Sequence, residues 1–310
     1  MISVCMSTYN GEKYINKQLE SIRNQTRIPD EVIICDDKST DQTPDHIRQF
    51  IENNHLEESW HFYENDENLG YPGGFYHAMG LCKGDIVFLS DQDDIWDIHK
   101  IERMCQVFAD HPEAKAVCCK FGLIDAMDHD VQTLMAPAKS RESGGLRRVG
   151  AGEVFYKCEW PGMVLAYKNK WLREVWKAEK SHIPHDFLIC ALAGEAEGFL
   201  QLDENLAWHR RHEHNVGGEE HRIGKLLSRD RKLQEIENYN RILQDFAEEN
   251  VLQTDLGKCA LLDKQEAMKA RYEALLDGRV RTVLKNAWKH KKQVRMKTLL
   301  ADLLISLKSK

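Results

Sequence analysis

FLSDQDDIW, residues Phe88 to Trp96, runs an apolar segment of strand character directly into three carboxylates within four positions. Two questions follow: which sheet the segment belongs to, and what offsets the repulsion at its end. The same pattern occurs upstream. ISVCM (Ile2 to Met6) reads as a buried strand leading into STYNGEKY, after which Tyr14, Ile15, Leu19 and Ile22 fall at helical spacing until NQTRIPD closes the turn. EVIIC (Glu31 to Cys35) is a second strand, followed by DDKSTDQT and a helix carrying Ile47, Phe50 and Ile51. WHFYEN (Trp60 to Asn65) reads as a third strand, DENLGYPGG as a loop, Phe75 to Leu81 as a short helix and DIVFLS (Asp85 to Ser90) as a fourth strand. Strands separated by helices predict an α/β fold with a mostly parallel central sheet flanked by helices. Ligands of such sheets sit at the carboxyl ends of the strands. STYNGE, DDKSTD and DQDD each follow a strand, so the three clusters are expected to form one site.

Carboxylates as close as Asp91, Asp93 and Asp94 raise one another's pKa unless a cation offsets the repulsion, and a hard divalent ion with oxygen ligands is the simplest such cation. The alternative is an acidic cap on the helix IHKIERMCQVF, whose dipole favours acids at its start.

Composition narrows the classes. The chain has 310 residues, 42% hydrophobic and 30% charged, which suits one large domain or a domain with an appendage. No apolar run approaches the roughly 20 residues that cross a bilayer, and MISVCMSTYNGEKY has neither a basic n-region nor an apolar h-region. A cytoplasmic protein is expected, with its nine cysteines, lacking any CxxC pair, as free thiols. The net charge of −7 conceals an asymmetry: residues 279–310 hold ten Lys and Arg against one acid, Asp302, a balance of +9, which leaves −16 on the remainder. An acidic body argues against nucleic acid as a partner.

In the second half, WPGMVLAYKNKW (Trp160 to Trp171) reads as a loop, a short strand and a helix start. Asp186 stands between His185 and the apolar run FLICALA, at the start of an expected helix. HRRHEHNVGG (His209 to Gly218) carries three histidines in six residues. Beyond residue 220 the apolar residues fall at three- and four-residue spacing, as in amphipathic helices. The division expected is a catalytic domain over 1–220, with halves 1–120 and 121–220, and a helical region over 221–310. The basic tail 279–310 has two readings: an amphipathic helix on an anionic membrane, or a docking helix with a solvated basic face.

Taken in order, VCMSTYNGE, ICDDKSTD, the NLG of ENLGYPGG and LSDQDDIW resemble the nucleotide-diphospho-sugar domain of inverting family 2 glycosyltransferases, which have the GT-A fold. DQDDIW is especially similar to a bacterial subgroup described as rhamnosyltransferase-like. The resemblance covers residues 1 to about 220, with Ser7 in place of a usual proline and Lys38 in place of a usual glycine. It implies that Thr8, Tyr9 and Glu12 lie against the base and ribose, and that Asp36 and Asp37 accept hydrogen bonds from the base imide and the ribose. Asn68 and Gly70 join the nucleotide site. Asp91 reaches the ribose or the metal, and Asp93 ligates a Mg²⁺ or Mn²⁺ at the diphosphate, with His212 as a further ligand. Asp186 is the implied catalytic base. Trp160, Gly162 and Met163 form the acceptor-facing loop, and Arg210 or Arg211 pairs with the diphosphate, as the forked guanidinium allows. His212 and Asn215 match the family's closing motif, and His209 stands where a tyrosine is usual.

The implied activity is metal-dependent, inverting transfer of a hexosyl or deoxyhexosyl group from a UDP- or dTDP-sugar to a glycan or lipid-linked glycan, in bacterial surface polysaccharide synthesis. Two other classes were weighed. A nucleotidyltransferase calls for a glycine- and lysine-rich phosphate loop, which STYNGEKY is not. An inert binding module is expected to lack the metal and base carboxylates, and all are present.

Overall fold

The structure, a computed structural model, describes residues 1–131, 145–157, 159–177, 181–212, 228–291 and 293–308. The chain divides into two compact units, one made of Met1–Gly150 with Glu159–Arg211 and the other of Ala151–Cys158 with His212–Lys310. The boundary expected at residue 220 lies outside the described residues. The expected inner division at 120 falls within a strand.

In the first unit the opening apolar runs become strands β1 (Ile2–Thr8), β2 (Glu31–Asp36), β3 (Trp60–Glu64) and β4 (Ile86–Ser90). β2 is buried along its whole length, because an inner strand with helices on both faces has no solvent side. Helix α1 (Ile15–Arg23) buries Ile15, Gln18, Leu19 and Ile22, one stripe at helical spacing. α2 (Thr43–Asn53) and α3 (Gly70–Leu81) complete the crossovers. The strands lie in the order β3-β2-β1-β4 and pair in parallel. The chain moves outward from β1 to β3 and then returns to the other side of β1, so the order reverses between β1 and β4. The ends of those two strands carry STYNGE and DQDD, which places both clusters at the topological switch point.

Past β4 the sheet is mixed. β5 (Ile95–Trp96), α4 (Lys100–Asp110), β6 (Ala116–Ile124), β7 (Leu146–Arg148), β8 (Leu165–Lys168), α6 (Asn169–Val175), α7 (His185–Glu195) and β9 (Phe199–Arg210) belong to this half. β8 runs antiparallel to both β4 and β6, and β9 pairs parallel with β6 and antiparallel with β5 and β7. The expectation of a mostly parallel sheet therefore describes the first four strands, and the whole is a central mixed sheet flanked by helices.

The second unit is helical. α5 (Ala151–Lys157) belongs to it, along with α8 (Arg229–Glu248), α9 (Asp255–Asp277), α10 (Val280–Lys289) and α11 (Met296–Lys308). Phe155 of α5 packs edge-on against Phe246 of α8, with ring centroids 5.5 Å apart and planes at 73°. Ser228 and Thr254 accept backbone hydrogen bonds as N-caps of α8 and α9, and α9 ends on Gly278 at φ +68°, the left-handed stop that glycine takes without strain. Among the described residues no helix is long and apolar enough to cross a membrane.

Candidate functional site

The site grows from the end of β1. Thr8 is buried, and its hydroxyl donates to Asp36 Oδ1 at 2.8 Å. Tyr9 stands half exposed, and its backbone is gripped on both sides by one amide: Tyr9 N donates to Gln92 Oε1 at 2.9 Å, and Gln92 Nε2 donates to Tyr9 O at 2.9 Å. Gly11 leaves room for this clamp, since a Cβ there would lie 2.3 Å from Gln92 Oε1. STYNGE and DQDD are thereby fastened together without any ligand. Glu12 is exposed, with Oε2 accepting from the backbone of Gln42 at 2.9 Å, just ahead of α2.

The aspartates after β2 do structural duty. Asp36 is wholly buried; besides Thr8 it accepts from the Ser39 hydroxyl and the Ser39 backbone N–H, both at 2.7 Å. Lys38 adopts φ +65°, so the turn keeps the left-handed geometry that a glycine would give it. Asp37 accepts from Asn65 Nδ2 at 2.9 Å, Leu69 N at 2.7 Å and Gly70 N at 2.8 Å, which caps the start of α3. Asn68 closes the same knot by donating to the Asp37 carbonyl at 2.9 Å, and Gly70 sits at φ +64°. The expected direct contact of Asp36 with a base is revised on this ground: its carboxylate has no exposed surface, so it shapes the turn instead.

Asp91, Gln92, Asp93 and Asp94 follow β4, and the register of β5 on β9, with Ile95 opposite Trp208, brings Asp94 against His209. Asp94 is wholly buried. Its Oδ1 accepts from His209 Nδ1 at 3.0 Å and from Arg210 N at 2.9 Å, while Oδ2 has no hydrogen-bond partner among the described residues. Burial pushes the Asp91 carboxyl well above the usual carboxylate range, and the charges of Asp94, Asp93 and, more weakly, Asp186 push the same way. Burial alone would lower the His209 imidazole, but the hydrogen bond and charge of Asp94, with Asp91 and Asp93, carry it above its ordinary value.

Asp186 opens α7 as expected, with Oδ1 accepting from Phe187 N at 2.8 Å and from the Tyr71 hydroxyl at 3.4 Å. Tyr71 keeps 54% of its surface exposed, yet withdrawal of its phenol from water, followed by the charges of Asp186 and Asp91, holds that phenol above the ordinary tyrosine range. Asp91, Tyr71 and Asp186 therefore lie within electrostatic reach of one another. His185 is packed rather than presented: it is buried, stacks on Phe75 at 4.0 Å between centroids and is kept neutral chiefly by burial.

Several expected positions are corrected. Arg210 is wholly buried and holds the site from below. Its Nε donates to the Asp93 carbonyl at 2.7 Å, its Nη1 to the Asp125 carbonyl at 3.1 Å and to the Asp128 carboxylate, and its guanidinium lies 4.7 Å from the Tyr14 ring centroid. A guanidinium so engaged does not reach a diphosphate, whereas Arg211 is exposed. Trp160, Gly162 and Met163 are buried as well, so their loop offers backbone and not side chains to an acceptor. A Cβ on Gly162 would lie 2.9 Å from His185 Nε2, and this close approach selects glycine. His212 belongs to the second unit, and Asn215 lies outside the described residues.

The residues present fit a divalent cation: like charges at half-buried Asp91 and buried Asp94, and an Asp94 carboxylate oxygen without a partner among the described residues, call for positive charge, and these donors are hard oxygens. Among the described residues no three His, Cys, Asp or Glu side chains converge as a closed cage. Mg²⁺ and its like, which take most of their oxygens from phosphates and water, need only one or two protein carboxylates.

Sequence reading missed Lys100. It is wholly buried, donates to the Met163 carbonyl and lies with Nζ 3.4 Å from the Trp96 ring centroid. Its signal was present: Lys100 stands four residues before Met104 and seven before Val107, on the apolar face of α4. Burial lowers its pKa from 10.5 to about 8, against the opposing pull of Cys119, Asp94 and Asp91. The unfolded chain holds this proton more tightly, so the contribution to stability rises with pH between the folded and unfolded values. Lys100→Met lacks that slope. Urea unfolding at about pH 7 and about pH 10 should therefore show the gap between the two proteins shifting toward wild type by up to about 3 kcal/mol; an unchanged gap would contradict the buried charge.

Residues 3–157 match the model of glycosyl transferase family 2, and the chain belongs to that family. An uncharacterized glycosyltransferase of Nostoc sp. is 28% identical over 252 residues, which is 79% of this chain and 75% of the relative. WfgD of Escherichia coli, a UDP-Glc:α-D-GlcNAc-diphosphoundecaprenol β-1,3-glucosyltransferase, is 28% identical over 102 residues, covering 33% of this chain and 38% of its own. Among solved structures, residues 1–349 of Staphylococcus aureus TarS in complex with UDP superpose with a TM-score of 0.61 at 17% identity, over 99% of this chain and 90% of that one. At that identity the match speaks for the shared GT-A fold.

Proposed function

We propose that this protein is a metal-dependent inverting glycosyltransferase that moves a hexosyl or deoxyhexosyl group from a UDP- or dTDP-sugar to a hydroxyl of a glycan or lipid-linked glycan. The carrying observation is the convergence of Asp186, Tyr71 and the Asp91–Asp94 cluster on one cleft at the strand-order reversal. In this reading Asp186 takes the proton from the acceptor hydroxyl as that oxygen attacks the anomeric carbon, and the bond from that carbon to the diphosphate breaks on the opposite face. Asp91 and Asp93 would hold a Mg²⁺ or Mn²⁺, which would supply charge for the departing diphosphate. Tyr9 and Glu12 line the base and ribose, positioned by Thr8, Asp36, Asp37, Asn68 and Gly70. Arg211, exposed beside the cluster's partner strand, offers positive charge to the phosphates.

The names of relatives support a bacterial surface polysaccharide role and a lipid-linked acceptor. The rhamnosyltransferase-like subgroup is retained on DQDDIW alone. The reading places the enzyme in the cytoplasm, with residues 279–310 in peripheral contact with the anionic inner face of the membrane. Thermal unfolding with UDP, dTDP and GDP, with and without Mn²⁺, tests the donor: a pyrimidine diphosphate should raise the midpoint by several degrees, more with metal than without. Absence of stabilisation by any of the three would overturn the nucleotide-sugar assignment. Turnover of the matching nucleotide sugars then separates a transferase from an inert module.

A further inference from the structure

The helices of the basic tail have two unlike faces. The inward face of α10 and α11 is packed within the second unit: Val283 and Ile305 are buried, and Asp302 forms a two-point ion pair with Arg271 of α9, at 2.7 Å to Nε and 2.9 Å to Nη2. Asp302 is also the single acid of residues 279–310, so turning it inward removes every carboxylate of this segment from the outer face.

The outward face is apolar and cationic. On α11, Met296, Leu300, Leu304 and Leu307 are 70%, 57%, 49% and 59% exposed and follow one another at helical spacing, a continuous uncovered stripe. On α10, Leu284 is half exposed and Trp288 is the most open large apolar side chain at 78%. Around them Arg281, Lys285, Lys291, Lys297 and Lys308 are exposed and carry no ion pair among the described residues, whereas Arg279 and Lys289 pair with Asp277 and Glu266.

We propose that this outward face is a lipid-binding surface for an anionic membrane, with the α11 stripe and the Trp288 indole entering the headgroup boundary while the unpaired cations meet lipid phosphates. The proposal rests on the reading of peripheral membrane contact and narrows it to one face of two helices. Interfacial helices combine these two terms, and an indole is at home at that depth. Charge decides among occupants. Two copies meeting through this face would bring their unpaired cations together with no acid of the segment to pair them, whereas anionic headgroups supply the missing charge.

Removing residues beyond Asp277 would strip the buried face along with the exposed one, so the test uses substitutions in the full-length chain. Wild type, Leu300→Glu/Leu304→Glu and Lys285→Glu/Lys297→Glu are sedimented with vesicles of phosphatidylcholine alone or with phosphatidylglycerol, at low and high salt, and UDP-dependent thermal stabilisation is measured alongside. Wild type should pellet with the anionic vesicles at low salt, and less as salt rises. Each double variant should lose at least tenfold in vesicle affinity while keeping the wild-type response to UDP. Wild-type binding unaffected by the substitutions, no pelleting at low salt, or a dimer in solution that Leu300→Glu/Leu304→Glu makes monomeric would each overturn the surface. Loss of the UDP response in wild type would strike the donor reading instead and leave the vesicle result standing.

Discussion

Asp186→Asn is expected to keep its affinity for the nucleotide sugar and to lose transfer by about 10²- to 10⁴-fold, the range typical of removing a general base. The substitution is nearly isosteric. The amide oxygen can still accept from Phe187 N, so α7 should start where it does now. What disappears is the capacity to accept a proton as the acceptor oxygen attacks. The partition between binding and turnover is the informative part: the donor is expected to contact the Tyr9 and Asp91 side of the cleft, so isothermal titration with UDP should match wild type while product formation under saturating donor falls. A variant that transfers at the wild-type rate would remove Asp186 as the base and move that role to another carboxylate.

Asp93→Asn is expected to weaken Mn²⁺-dependent nucleotide binding by about two orders of magnitude or more, because changes to groups that merely orient metal ligands already cost 10- to 100-fold. The fold should survive, since Asp93 lies past the end of β4 and accepts the hydrogen bond from Arg210 Nε through its backbone carbonyl. Binding of UDP in the presence and absence of Mn²⁺, measured for both proteins, separates loss of the metal from loss of the nucleotide. Equal Mn²⁺ enhancement in wild type and variant would remove Asp93 from the ligand set. Asp94→Asn offers a contrast: that side chain is locked between His209 Nδ1 and Arg210 N, so its loss should disturb the junction of β5 and β9 and lower stability as well as binding.

Much of this architecture was legible because it rests on short-range regularities. Apolar runs placed β1 to β4 within a residue or two, and each polar cluster announced the end of a strand, but the third helix, expected from Phe75, starts at Gly70 inside the stretch read as a loop. The antiparallel β8 was not legible in the same way. A four-residue strand carries too little pattern to declare its direction, which is set by what lies beside it in the sheet. The candidate residues divide similarly. Asp91, Asp93 and Asp186 were identified as chemical groups and keep some exposed surface, whereas Asp36 and Arg210 have the right chemistry for a ligand and no surface with which to meet one.

The sequence by itself determined the α/β alternation, the three polar clusters at strand ends, the helix that opens at Asp186, and a charge asymmetry that separates a basic tail from an acidic body. These depend on the order of residue types over a few turns or strands, and such order is local. Tertiary structure alone decided which carboxylates are covered and which are offered, that Gln92 clamps Tyr9, that Lys100 donates to the Met163 carbonyl, and that the one acid of the tail turns inward to Arg271. Each depends on two segments far apart in the chain being brought within hydrogen-bonding distance. Burial and Coulomb interaction act through space, and the linear pattern does not record which neighbours a side chain will have.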